Sequence, residues 1–174
     1  MRLAIALALC VAAAGCAVPP PQRHAMDTLV VGSSGTPLAS CGLWLDSVTD
    51  LRPEDRRSSN HGMLRVEVEQ VPEAVSAMLA GLGVGDAGAP GDAVTVEVLN
   101  AYLSTVAGMR AFNLVLRVRH ADGGQWVARG RTVSVPWTMT QASIRNTLEL
   151  ALEDARDALV QGLASRCDGA VAAR

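Results

Sequence analysis

The chain has 174 residues and a formal net charge of −2, enough for one domain with a substantial core. The mildly acidic balance argues against a nucleic-acid partner, which selects for a basic surface. All fifteen basic residues are arginine, and the aromatic set is Trp44, Tyr102, Phe112, Trp126 and Trp137, so the core has to be built from Val, Leu and Ala.

The first segment reads as an export signal. Arg2 precedes an apolar run over residues 3–14 and then Gly15-Cys16; the run is too short to anchor as a membrane span. Ala13-Ala14-Gly15-Cys16 resembles a lipobox, with Ala13 where leucine is usual, which would make Cys16 the lipidated first residue of the mature chain. Cleavage as an ordinary secretory signal at Ala12-Ala13-Ala14 is the alternative; Cys10, behind bulky Leu9, is a poor lipid site. Ala17 rather than aspartate after Cys16 favours transfer to the outer membrane, facing the periplasm. Several acyl chains, at about 0.8 kcal/mol per buried CH₂, make a firm anchor. The expected layout is a signal peptide over 1–15, a lipidated cysteine and tether over 16–40, one domain over 41–168 and a disordered tail over 169–174.

Ala17-Val18-Pro19-Pro20-Pro21 opens the tether. Proline-rich sequence stays extended, and the stretch reaches at most ~80 Å at ~3.3 Å per residue. Residues 28–31 suggest a short strand. Residues 43–49 predict the first core strand, followed by the charged loop Asp50-Leu51-Arg52-Pro53-Glu54-Asp55-Arg56-Arg57. Residues 63–69 alternate, with Leu64, Val66 and Val68 opposite Arg65, Glu67 and Glu69, as in a strand with one wet face. Pro72 suits a first helical turn. Val75, Met78, Leu79 and Leu82 follow at helical spacing, and Gly81 and Gly83 close the helix. Residues 84–92 form a Gly/Pro-rich loop.

Three long strands come next. Val94, Val96 and Val98 alternate in the first, and Phe112, Leu114, Leu116 and Val118 in the second. Asp122-Gly123-Gly124 is a hairpin turn, from which residues 125–135 return until Pro136 ends the pairing. Thr140 is placed to N-cap a helix over residues 141–164, with a stripe of Ile144, Leu148, Ala151, Leu152, Ala155, Leu159 and Leu163. The order β-β-α-β-β-β-α predicts an α+β fold: an antiparallel sheet of about five strands with two helices on one face and the other face open to solvent or a partner.

Export leaves Cys41 and Cys167 as a pair in an oxidising compartment, and a disulfide between them would tie the start of the domain to its end. A loop of that length stabilises by up to ~5 kcal/mol in the chain-entropy model. Without a CxxC or a neighbouring histidine, a redox or metal role has no support.

With its lipobox, the stretch Val48-Thr49-Asp50-Leu51-Arg52, the order helix–hairpin–long helix, and Asp122-Gly123-Gly124-Gln125 followed by Arg129 and Arg131, the chain resembles the YajG-like bacterial lipoproteins from Cys16 to about Ala164. That resemblance implies an envelope lipoprotein and supplies no catalytic residues. The Cys41/Cys167 pair and the Ala13 lipobox depart from the group.

The candidate sites are few. Asp46, Asp50, Glu54 and Asp55 lack the offsets and central glycine of a calcium loop and, interspersed with Arg52, Arg56 and Arg57, read as a solvated charged loop. His24 falls in the tether, His61 in a turn and His120 beside the hairpin, with neither metal spacing nor a triad. Serines 33 and 34 lack a nucleophile elbow, and no phosphate loop or dinucleotide fingerprint appears. These features predict no enzyme, no cofactor and no metal.

One constellation stands out. A three-residue turn over residues 122–124 would place Arg117, Arg119, Arg129 and Arg131 on one face, opposite Phe112, Leu114, Leu116, Val118, Trp126 and Ala128. A turn one residue shorter or longer would bury two arginines, at high cost. Like charges across strands repel unless Glu97 or an anionic partner neutralises them. The face is a candidate anion or partner patch for a phosphate-bearing envelope polymer or an acidic protein; a plain solvated face is the alternative. The functional expectation is a lipid-anchored, non-catalytic binding domain that contacts an envelope protein or a cell-wall or lipid component. The alternative is an auxiliary lipoprotein subunit of an envelope machine, such as a lipid transporter or a peptidoglycan-synthase activator.

Overall fold

The computed structural model describes residues 21–26, 38–61, 64–106, 109–134 and 140–172. The signal peptide, Cys16, the strand expected over 28–31 and Pro136 lie outside the described residues. The elements are β1 (Gln22–Ala25), β2 (Trp44–Asp50), β3 (Ser58–His61), β4 (Leu64–Glu69), α1 (Val71–Gly81), β5 (Ala93–Val106), β6 (Met109–His120), β7 (Gln125–Ser134) and α2 (Gln141–Ala172), with short 3-10 turns at Ala39–Cys41, Glu54–Arg56 and Pro90–Asp92.

The fold is α+β, but its strands form two sheets rather than one of about five strands. Three strands lie in the order β1-β4-β3 and four in the order β2-β5-β6-β7. Nor is the pairing wholly antiparallel: β1 runs parallel to β4 and β2 parallel to β5. Parallel neighbours need a long crossover, and α1 lies on the one that joins β2 to β5. Two further corrections follow. Gln22–Ala25, expected in the tether, is a sheet strand, with Met26 beyond it and Leu38 both fully buried. The last helix, expected to end near Ala164, continues to Ala172, so residues 169–172 are helical rather than a loose tail.

Periodicity accounts for the core. All seven stripe residues of α2, from Ile144 to Leu163, are 0% exposed, and Val75, Met78 and Leu79 of α1 and Leu82 just after it are buried with them. They join Val94, Val96, Val98, Phe112, Leu114, Leu116 and Val118 in one cluster, to which the smaller sheet adds Val66 and Val68. Full burial of each large side chain contributes about 1.5–3 kcal/mol of transfer free energy. Helix α1 carries Pro72 in its first turn. In α2, Thr140 Oγ1 accepts the Ser143 N–H at 3.2 Å and Thr140 O accepts that of Ile144, which satisfies donors that a helix start leaves open.

Helix α2 seats on β7 with almost no clearance: a Cβ on Gly130 would come within 2.0 Å of Ala151 O, so glycine sets the approach. At its far end α2 is fastened twice. Cys167 is disulfide-bonded to Cys41, with Cα atoms 5.1 Å apart, and Arg166 Nη1 donates to Asp122 Oδ2 at 2.8 Å in the β6–β7 turn.

Candidate functional site

The face of the four-stranded sheet turned away from the helices is set by the β6–β7 hairpin. Gly123 N–H donates to His120 O at 3.0 Å and His120 N–H to Gly124 O at 2.8 Å. Gly123 sits at φ +88°, left-handed backbone that favours glycine. The loop residues are therefore 121–123, one earlier than the sequence suggests, and the register shifts by two: Arg117 lies opposite Val127 and Arg119 opposite Gln125. A shift of two preserves the faces. Arg117, Arg119, Arg129 and Arg131 share the outer face, while Leu116 opposite Ala128 and Val118 opposite Trp126 share the inner one.

Glu97 of β5 lies directly opposite Arg117. Its carboxylate accepts a hydrogen bond from Arg117 Nε and pairs with Arg119 Nη2 at 3.3 Å, so one carboxylate serves two guanidinium groups. Arg129 and Arg131, both exposed, make no ion pair among the described residues. Exposed Tyr102, Met109, Val127 and Val133 lie on the same face. The arrangement provides fixed positive charge and fork-shaped donors beside apolar side chains, the means to hold an anion or a partner surface. The β7 edge beside this face is guarded: Arg131 N–H donates to Asp154 Oδ2 of α2 at 2.8 Å.

The charged loop after β2 is not uniformly solvated, a correction to the sequence reading. Arg52 is 4% exposed. Its Nε and Nη2 donate to Asp50 Oδ1 and Oδ2 at 2.9 and 2.8 Å, its N–H to Asp50 Oδ1 at 3.0 Å, and its Nη1 to Val68 O of β4 at 3.1 Å. This bidentate pair bolts the end of β2 to the smaller sheet. Burial pushes the Asp50 carboxyl up, but the hydrogen bonds and charge of Arg52, with Arg57 nearby, outweigh it and hold the group below its ordinary 3.8. Asp122 is held low as well, chiefly by the Gly124 N–H and further by His120 and Arg166.

His24 sits inside β1 rather than in a tether. It is buried, its Nε2 has no hydrogen-bond partner among the described residues, and desolvation holds it below its ordinary 6.5. Among the described residues no group of three or more His, Cys, Asp or Glu is placed to hold a metal, and no helix is long and apolar enough to cross a membrane. A cleft of about 420 Å³ that the sequence did not reveal lies where β5 passes the Glu54–Arg56 turn and β3. Asp55, Arg56, Ser58, Ser59, Asn100, Tyr102 and Leu103 line it.

No family model matches this sequence, and no curated protein does. The fold is similar to that of protein XCC0632 from Xanthomonas campestris, known from a crystal structure and described as DUF330. The TM-score is 0.50 at 14% sequence identity, covering 86% of this chain and 99% of that one. At that identity the likeness is one of fold, a distant link.

Proposed function

We propose that the chain is an envelope lipoprotein of the YajG-like kind, acylated at Cys16 and held in the outer membrane, whose periplasmic domain binds another envelope component and performs no catalysis. The observation that supports this most is the outer sheet face: four arginines share it, Glu97 pairs with only two of them, and exposed Val127 and Val133 lie between and beside them. Because β1 begins at Gln22, an anchor at Cys16 leaves a reach of only about 20 Å to the domain. The domain then works close to the headgroups rather than far beyond them.

Two measurements test the reading. Palmitate labelling and globomycin sensitivity are expected in the wild type and lost in Cys16→Ser; no label in the wild type refutes the anchor. A photocrosslinker at position 127 is expected to yield a discrete envelope adduct that Arg117→Glu with Arg129→Glu abolishes. An adduct indifferent to charge reversal refutes the binding face. Stoichiometric co-purification with one complex would make the protein a subunit of a machine rather than a free-standing binder.

A further inference from the structure

The outer face runs into the cleft. Strand β2 stops pairing at Asp50 opposite Val98, and beyond Val98 the flank of β5 faces β3, with the Glu54–Arg56 turn across the cleft. Leu103 N–H donates to Ser59 Oγ at 3.1 Å across that boundary. Asn100, Tyr102 and Leu103 form one wall of the cleft and Asp55, Arg56, Ser58 and Ser59 the other. Two of the three β5 residues belong to the outer face: Asn100 lies opposite Val115 and Tyr102 opposite Asn113. Across the next pairing, Val115 lies opposite Arg129 and Asn113 opposite Arg131. Two rows therefore run side by side from the cleft to the two arginines that Glu97 does not neutralise, Asn100–Val115–Arg129 and Tyr102–Asn113–Arg131. At about 4.8 Å per strand each row spans roughly 10 Å.

The chemistry along these rows changes in order. At the cleft end stand a 37% exposed tyrosine ring and a set of hydroxyl, amide, carboxylate and guanidinium groups. None of Asp55, Arg56, Arg129 and Arg131 is in an ion pair among the described residues. At the far end stand two cationic forks. A flat ring suits the C–H face of a sugar, and mixed donors and acceptors suit its hydroxyls; the volume is that of a small-molecule site. Leu103 N–H is taken by Ser59 Oγ, and by alternation the backbone groups of Asn100 and Tyr102 point into the β6 pairing, so these two residues meet the cleft through their side chains.

We propose that this surface binds an anionic oligosaccharide, a sugar ring resting on Tyr102 in the cleft and a phosphate or carboxylate group held by Arg129 and Arg131. The proposal rests on the binding-domain reading above and names its ligand class.

The test is isothermal titration of the purified full-length protein in detergent. The probes are a phosphorylated diacetylchitobiose, the carboxylate-bearing N-acetylglucosaminyl-N-acetylmuramic acid disaccharide, neutral diacetylchitobiose, inorganic phosphate, hexaglutamate and phosphatidylglycerol vesicles. At least one charged disaccharide is expected to bind at least tenfold more tightly than the neutral disaccharide or phosphate alone; which one does so identifies the anionic group. Tyr102→Ala, and separately the double variant Arg129→Ala with Arg131→Ala, should each weaken binding at least tenfold, with Tyr102→Phe retaining most of it. Unchanged affinity in Tyr102→Ala overturns the proposal. Hexaglutamate or vesicles binding as tightly as the sugars, dependent on the arginines but not on Tyr102, also overturns it while leaving the outer face as a contact surface. No binding by any probe, with the crosslink at position 127 intact, refutes the ligand class alone; loss of the crosslink as well refutes both.

Discussion

On its inner side the four-stranded sheet presents Val96, Val98, Leu114, Leu116 and Val118, all fully buried beneath two helices. On its outer side the intervening residues of the same strands present Arg117, Arg119, Arg129, Arg131 and Val127. Arginine itself shows the contrast best. Arg52 is buried and spends its guanidinium on Asp50 and Val68 O, whereas Arg129 and Arg131 stand in solvent with no ion pair among the described residues. A buried charge must be matched inside the fold, because solvent cannot compensate it. A charge on an open face needs no internal partner, because water solvates it. Interior groups thus carry stability, and under the proposal above the outer arginines carry binding.

That division can be broken most directly at Asp50. Asp50→Ala leaves the Arg52 guanidinium buried without its counter-ion and should cost about 3–5 kcal/mol, read as a shift of the urea midpoint. A cost below 1 kcal/mol would show that Arg52 relaxes to solvent and would erase the contrast. Cys41→Ser with Cys167→Ser should cost about 2–4 kcal/mol by the same measurement, since the bond closes a separation of 126 residues.

Adjacent residues of β7 give the sharpest local test. Gly130→Val drives side-chain atoms into Ala151 O of α2 and should cost about 3 kcal/mol, while Arg129→Ala, one residue away on the outer face, belongs at the small end of the scale. His24 tests the buried interior by pH. Burial lowers its folded-state pKa below 6.5, so its contribution is intact above that value. It is lost as pH falls toward the folded value, because the unfolded chain takes up the proton first. His24→Gln should flatten the fall in stability on acidification from about pH 7.5 to about pH 5; an unchanged profile would show that His24 does not set it. The smallest effect is expected from Arg129→Ala and Arg131→Ala, within about 0.5 kcal/mol of wild type; a larger loss would mean that the outer face supports the fold after all.

Much of the candidate face was legible along the chain. Alternation in β6 and β7 grouped the four arginines, and the glycine-rich turn kept them together even though the loop sits one residue earlier than expected, because a register shift of two leaves each side chain on its face. The cleft was not legible. Asp55 and Ser59 are more than forty residues from Asn100 and Tyr102, and tertiary contacts such as that of Ser59 with Leu103 bring them together. Asp50 and Arg52 were visible as charges at a strand end, but nothing local distinguishes a solvated Arg56 from a buried Arg52. The third partner of Arg52, Val68 O, belongs to another sheet.

The sequence by itself determined the period of each element, the inward stripe of α2, the cap at Thr140 and the cysteines available to pair, because these depend on backbone geometry and on spacings of a few residues. Tertiary structure alone decided which strands are neighbours. It split seven strands into two sheets, ran β2 parallel to β5, drew Gln22–Ala25 into the smaller sheet and buried Arg52 between them. The physical reason is that hydrophobic alternation states which face of a strand is dry, whereas the strand beside it is chosen by long-range packing and by where every buried donor and acceptor finds a partner.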